Sequence, residues 1–151
     1  MKYYSTNKRA PMVGLHEAVV KGLAADKGLY MPVNINLLPN DFYEEIDHLS
    51  FQDIAYTVAS ALFGNDIPVK VLKQIVYDTL NFDVPAVEVK DNIYALELFH
   101  GPTIAFKDMA LSILPHLMTT AAKKNHADKE IVILTATSGD TGKAAMAGFA
   151  D

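Results

Sequence analysis

The chain has 151 residues, half of them hydrophobic, with 13 basic and 18 acidic side chains and a formal net charge of -5. An acidic chain without a basic stripe cannot neutralise phosphates along a nucleic acid, so we expect no nucleic-acid partner. The absence of cysteine excludes thiolate nucleophiles and cysteine zinc sites, and the five scattered histidines predict no metal site.

The first predicted elements are short. Residues 1–14 carry charges but no apolar run behind them, so they are not a signal peptide and we expect a cytoplasmic protein. The segment "LHEAVVKGL", residues 15–23, has the apolar spacing of a short helix. The proline- and asparagine-rich stretch that follows, residues 32–39, predicts an irregular linker.

Two longer helices are predicted next. Ser50 and Asp53 form a capping-box pattern, and apolar residues then recur with a helical period until Gly64. Pro68 suits the first position of a second helix that ends near Asn81. The short loop between these helices indicates that they pack together, and residues 1–81 are predicted to form a mainly helical N-terminal domain.

The second half, residues 82–151, alternates strand and helix patterns. The runs "AVEV" and "YALELF" are typical of strands, residues 108–124 of a helix, "EIVILTAT" of a buried strand, and residues 140–151 of another helix. This β-α-β-α order predicts an α/β fold with a parallel sheet and right-handed crossovers. Residues 82–151 are therefore expected to be the first part of an α/β domain.

The helix predicted over residues 108–124 contains Pro115. Proline removes a backbone hydrogen bond from a helix, so we expect a kink between Leu111 and Pro115. The apolar window of this helix, residues 109–122, falls short of the roughly 20 residues that cross a bilayer. We therefore expect no membrane partner.

Two segments follow predicted strands at the edge of the sheet where ligands of parallel sheets bind. The second of them, "TSGDTG", lacks the spacing of a nucleotide phosphate loop but places two glycines and three hydroxyl groups at a helix N-terminus. Free backbone N–H groups there would suit a carboxylate or phosphate. Alternatively, Ser138 or Asp140 only caps the helix. The fixed charge of Asp140 counts against a bound anion.

The first of the two segments, "GPTIAFKD", places Lys107 at the start of a helix beside Phe106. The helix dipole and the neighbouring ring both disfavour a charged amine at that position. A neutral amine is the form that Schiff-base chemistry requires. The alternative is an ordinary surface lysine.

The segments "LELFHGPTIAFKD" and "ILTATSGDTGKAA" together closely resemble threonine synthase, a pyridoxal phosphate enzyme of the tryptophan synthase β-like fold type. The segment "GLHEAVVKGLAADKGLYMP" resembles the helical N-terminal region of the same family. The fold class implied is a helical N-terminal region followed by the first β-α-β-α part of a parallel-sheet pyridoxal phosphate enzyme. The substrate implied is O-phospho-L-homoserine, which reacts with water to give L-threonine and phosphate.

The resemblance also implies roles for individual residues. Lys107 would hold pyridoxal 5'-phosphate as an internal aldimine and move protons as the catalytic residue, and Phe106 and Asp140 would contact the cofactor. His100 and Thr103 would fix their loop by hydrogen bonds. The substrate carboxylate would be bound by the turn that consists of Thr137, Ser138, Gly139, Asp140 and Thr141.

In this family the glycine-rich loop for the cofactor phosphate comes later in the chain than residue 151. We therefore expect a truncated N-terminal part of the enzyme that binds cofactor weakly and has no activity alone. Its uncovered sheet and last helix predict self-association. Two alternatives stay open: another enzyme of the same fold type, such as a serine or threonine dehydratase, and a non-catalytic threonine synthase-like module that binds an anion.

Overall fold

The computed structural model describes residues 1–124 and 131–150. Near the N-terminus, three short strands pair into an antiparallel sheet in the order β2-β1-β3. Tyr3 lies opposite Val13 on one side and Pro32 on the other. The sequence patterns did not predict this sheet, whose strands are β1 (Lys2–Ser5), β2 (Val13–Gly14) and β3 (Tyr30–Pro32).

The three helices predicted in the first half are confirmed. They are α1 (Leu15–Lys21), α3 (Phe51–Phe63) and α4 (Val69–Thr79). Ser50 caps α3 by accepting a hydrogen bond of 3.1 Å from the Asp53 N–H, and Pro68 directly precedes α4. The predicted linker is irregular over residues 33–39, as expected, and only its first residue, Pro32, belongs to β3. The helix α2 (Asn40–Glu45) and the 3-10 turn (Ile46–His48) that follow were not predicted.

The core joins both halves of the chain. Leu72 of α4 is only 2 % exposed and belongs to one apolar cluster with Leu15 of α1 and Leu117 of the later helix α6 (Leu114–Lys124). Helices α1 and α6 pack directly on each other, as do α3 and α4. The N-terminal helices therefore bury part of their apolar surface against a helix from beyond residue 81.

The strand-like runs after residue 85 form an antiparallel hairpin, β4 (Ala86–Lys90) and β5 (Ile93–Leu96). Only Asp91 and Asn92 connect these strands, and a parallel connection would need a dozen or more residues. The α/β character is confirmed, but the predicted parallel sheet is not found among the described residues. Residues 131–136 of the predicted third strand are exposed and unpaired there, and Glu130 lies outside the described residues.

The predicted kink is confirmed as a break between α5 (Asp108–Leu111) and α6. The last described helix, α7 (Asp140–Phe149), packs on both of them, while Asp151 lies outside the described residues. Gly148 of α7 meets the break so closely that a Cβ atom there would clash with the Leu111 carbonyl oxygen. None of the helices in the described ranges combines the length and apolar character needed to cross a membrane.

Asp26 ties the chain segments around the N-terminal sheet together. Its Oδ1 accepts hydrogen bonds from the Ser5 hydroxyl at 2.5 Å and the Gly28 N–H at 3.1 Å. Its Oδ2 accepts from the N–H groups of Arg9 and Ala10, both at 2.9 Å. The Ser5 hydroxyl, followed by these backbone donors, holds the pKa of Asp26 well below its usual range.

The Asp26→Asn variant is expected to be less stable than the original chain at neutral pH, because an amide presents only one acceptor oxygen to four donors. A lowered folded-state pKa stabilises the fold above the unfolded value of about 3.9, and this contribution is lost as pH falls through the folded pKa. The difference should therefore shrink below about pH 4. Urea titrations from pH 7 to pH 3 test this, with Asp47→Asn as the exposed control; a difference independent of pH would contradict it.

Candidate functional site

The segment from Gly101 to Lys107 forms two consecutive turns between β5 and α5. The Gly101 carbonyl accepts from the Ile104 N–H at 3.1 Å, and the Ala105 carbonyl accepts from the Asp108 N–H at 2.9 Å. Lys107 directly precedes α5, as predicted, and its Nζ lies 4.7 Å from the centre of the Phe106 ring. The amine and an aromatic face are therefore held next to each other.

Asp108 holds this segment in place through hydrogen bonds. Its side chain is buried, and it accepts hydrogen bonds from the Thr103 N–H at 2.8 Å and the Thr103 hydroxyl at 2.6 Å. Gly101 lies against the same carboxylate, since a Cβ atom there would come within 2.6 Å of Oδ2. The predicted loop-fixing hydrogen bond of Thr103 is thereby confirmed.

His100 also holds its loop, through Glu97. The imidazole Nε2 lies 2.6 Å from the Glu97 Oε2. The ring of His100 lies 4.7 Å from that of Phe99 at a tilt of 30°. His100 is thus fixed by a polar contact and a ring contact, as its predicted role requires.

The second segment makes a tight turn into α7. Gly139 precedes this helix with φ of 138°, a value that side chains rarely adopt. The Gly139 N–H donates to the Thr137 hydroxyl at 3.2 Å. Gly142 then packs on the turn, because a Cβ atom there would lie 2.7 Å from the Thr137 Cγ2. The glycines are therefore needed for the backbone path itself.

The side chains at this turn do not cap the helix. Gly139 is the residue before α7. Among the described residues, no side chain accepts a hydrogen bond from the first N–H groups of α7, as a capping side chain would. Asp140 instead pairs with Lys143 one turn later, at 3.1 Å between Nζ and Oδ1. The alternative in which Ser138 or Asp140 caps the helix is thus wrong for the residues that the structure describes.

A cavity of about 370 Å³ brings the two segments together. Phe106 comes from the first segment and Asp140 from the second. The rest of the lining is apolar and was not predicted, although Leu96 and Leu98 alternate along an extended run. The full lining is Leu96, Leu98, Phe99, Ile104, Phe106 and Asp140. An apolar cavity with few polar groups is typical of small-molecule sites.

A family model described as "Threonine synthase N terminus" matches residues 2–80, which is more than half of the chain. The chain belongs to the threonine synthase family. The threonine synthase of Escherichia coli (strain K12) is 37% identical over 152 residues, covering 99% of this chain and 34% of that protein. The threonine synthase of Saccharomyces cerevisiae is 36% identical, covering 97% of this chain and 32% of that protein.

The fold agrees with this family membership. The crystal structure of pyridoxal phosphate-bound threonine synthase from Brucella melitensis superposes with a TM-score of 0.90 at 35% sequence identity. That match covers 99% of this chain and 33% of the Brucella chain. The predicted resemblance and the α/β fold of the N-terminal part of threonine synthase are therefore confirmed, and the chain spans about a third of the length of these relatives.

Proposed function

We propose that this chain supplies the lysine-bearing part of a threonine synthase. The reaction is the conversion of O-phospho-L-homoserine and water to L-threonine and phosphate with pyridoxal 5'-phosphate. The observation that carries the proposal is the placement of Lys107, whose amine lies against the ring of Phe106, and Phe106 lines a cavity together with Asp140. The cytoplasmic location is part of the same proposal.

The residues fit an aromatic aldehyde cofactor. The Brucella threonine synthase is pyridoxal phosphate-bound. Here an aromatic ring and one carboxylate line an apolar cavity, and the primary amine of Lys107 lies against that ring. A planar ring would lie against the apolar walls, with Phe106 beside it. When bound, pyridoxal phosphate supplies an electron sink for the negative charge that develops on the substrate.

The chain's own residues would divide the remaining work. Lys107 would hold the cofactor and then move protons at the substrate carbons, as a lysine amine next to an aromatic wall can. Because the Gly139 N–H already donates to Thr137, we assign the substrate carboxylate to the N–H groups of Asp140 and Thr141, with Thr137 and Ser138 shaping the turn. Asp140 would face the cofactor or the substrate ammonium.

The named relatives favour threonine synthase over a dehydratase, because they match 97% or more of this chain and are all named threonine synthase. The chain spans about a third of their length. We therefore propose that this chain alone binds the cofactor weakly and does not turn over substrate. A rate of threonine formation above background by the purified 151-residue chain would contradict this part.

Reductive labelling tests the role of Lys107 without turnover. The chain is incubated with pyridoxal 5'-phosphate, reduced with borohydride and mapped by peptide mass. We expect Lys107 to carry the pyridoxyl group at roughly ten times the level of Lys73, a difference of about 1.4 kcal/mol in activation free energy. The Lys107→Arg variant should lose this label, because guanidinium stays protonated, while the control Lys123→Arg should keep it.

The same experiment separates the alternatives. A non-catalytic anion-binding module would show equal labelling of Lys107 and Lys73, and that outcome would overturn the proposed function. Excess O-phospho-L-homoserine added before borohydride should reduce the label on Lys107, since its amine competes for the aldehyde at the same place. Excess serine at the same concentration should reduce it less, because serine lacks the phosphate.

A further inference from the structure

The proposed function leaves Asp108 unused, although this residue is the most unusual group near the site. The side chain is 2 % exposed, and both carboxylate oxygens bind Thr103, Oδ2 at its N–H and Oδ1 at its hydroxyl. A carboxyl group is costly to bury unless it is hydrogen-bonded. Among the described residues, the buried carboxylate of Asp108 accepts hydrogen bonds from Thr103 alone, five residues earlier on the same loop.

The loop that Asp108 fastens is strained. Ile104 has φ of 59°, which is an outlier for a β-branched residue. Its side chain is 71 % exposed, so burial of this side chain does not offset the energetic cost of the strained backbone. Such a conformation persists only when the neighbouring structure holds it, and it is found most often at functional sites. Thr103, bonded to Asp108, and the buried Ala105 are the neighbours that hold it.

The strained residue and the proposed cofactor site are directly connected. Ile104 and Phe106 line the same cavity as Asp140, and Lys107 follows Phe106. The Lys107 carbonyl accepts from the Ala110 and Leu111 N–H groups, which fixes the far end of the loop. A change in the backbone at Thr103 would therefore be taken up between Ile104 and Phe106.

We propose that Asp108 and Thr103 are positioning residues that hold the strained turn at Ile104 and so aim Phe106 and Lys107 at the cavity. The inference rests on the proposed role of Lys107 and deepens it. Neither residue is among those that line the cavity. Their effect reaches the reacting amine through the loop backbone.

The test uses the whole chain and the labelling ratio of Lys107 to Lys73. Lys73 lies on α4 between the Tyr56 and Tyr77 rings, away from the loop, and serves as the internal reference. Thr103→Val removes the hydroxyl but keeps the shape, and we expect the ratio to fall about tenfold. Thr103→Ser keeps the hydroxyl and should restore the ratio.

A second pair of variants tests the strain itself. Ile104→Gly relieves the strain, because glycine adopts a positive φ without cost. It also removes an apolar wall of the cavity, so the labelling ratio of this variant is measured first and serves as the baseline for a double variant. Adding Thr103→Val to Ile104→Gly should lower the ratio by much less than adding Thr103→Val to the original chain, because the loop with glycine no longer has to be held in a strained conformation. A residue that only stabilised the fold would lower the urea midpoint of Thr103→Val without changing the ratio in the folded chain.

The outcomes separate this inference from the proposed function. Selective labelling of Lys107 in the original chain, with an unchanged ratio in Thr103→Val, would overturn the positioning role and leave the proposed function standing. Loss of selectivity in the original chain would overturn both. Amide hydrogen exchange needs no variant: the Thr103 N–H should be protected by Asp108, and exchange at the rate of an open loop would also overturn the inference.

Discussion

Replacing Gly148 with alanine is expected to lower the free energy of unfolding by roughly 1–3 kcal/mol, the usual cost of overpacking a close contact. The new Cβ would clash with the Leu111 carbonyl oxygen and lie 3.4 Å from the Pro115 Cγ. A backbone carbonyl cannot swing aside as a long side chain can. Helix α7 must therefore move away from the break between α5 and α6, and urea denaturation measures the loss.

Gly14→Ala is the matched control for this variant. No atom lies within 4 Å of a Cβ built at Gly14, and its backbone is in an ordinary extended conformation. The control should therefore change the free energy of unfolding by no more than about 0.5 kcal/mol. Equal urea midpoints for Gly148→Ala and Gly14→Ala would show that α7 does not pack on the break as described.

The Leu72→Ala variant is expected to lose about 2–5 kcal/mol of unfolding free energy, the range for truncating a buried leucine. Leu72 is one of the most completely buried large side chains and lies in the cluster that Leu15 and Leu117 share. Val69→Ala, on the same helix at a position that is 66 % exposed, should cost far less. Similar losses in both variants would contradict the assignment of Leu72 to the core.

Local signals predicted the helices well. Ser50 and Gly64 mark the two ends of α3, and the hydrogen bond from Asp53 to Ser50 is the interaction that the pattern implies. Pro115 predicted the break after α5, because the missing N–H is a property of one residue. The sequence could not show what lies against the break, since Gly148 comes 37 residues after Leu111 in the chain.

Strand pairing was predicted less well, because it depends on distant partners. The N-terminal sheet pairs Tyr3 with Pro32, and neither residue carries a local sign of the other. The hairpin was open to prediction from Asp91 and Asn92, a two-residue turn in which Asn92 has φ of 61°. The parallel sheet was predicted from the order of strands and helices, and that order does not take the tight turn at Asp91 and Asn92 into account.

The candidate site was predicted only in part, because some of its features depend on tertiary contacts. Lys107 and Thr103 lie in one continuous motif, so their neighbourhood could be inferred from the sequence. The burial of Asp108 could not be inferred, because an acidic side chain in the first turn of a helix is ordinarily solvated and interacts favourably with the helix dipole. Its burial results from the way Gly101 and Thr103 fold back over it, which is a tertiary effect.

The packing of α1 on α6 also determines when this fold can be completed during synthesis. Leu15 and Leu117 share one apolar cluster, but about 100 residues of translation separate them, or roughly 5–20 s at ribosomal rates. During that interval α3 and α4 can already associate, because their contacts are local. The apolar face of α1 cannot pack on α6 until α6 has been synthesised. During those seconds a nascent chain would expose this face to chaperones.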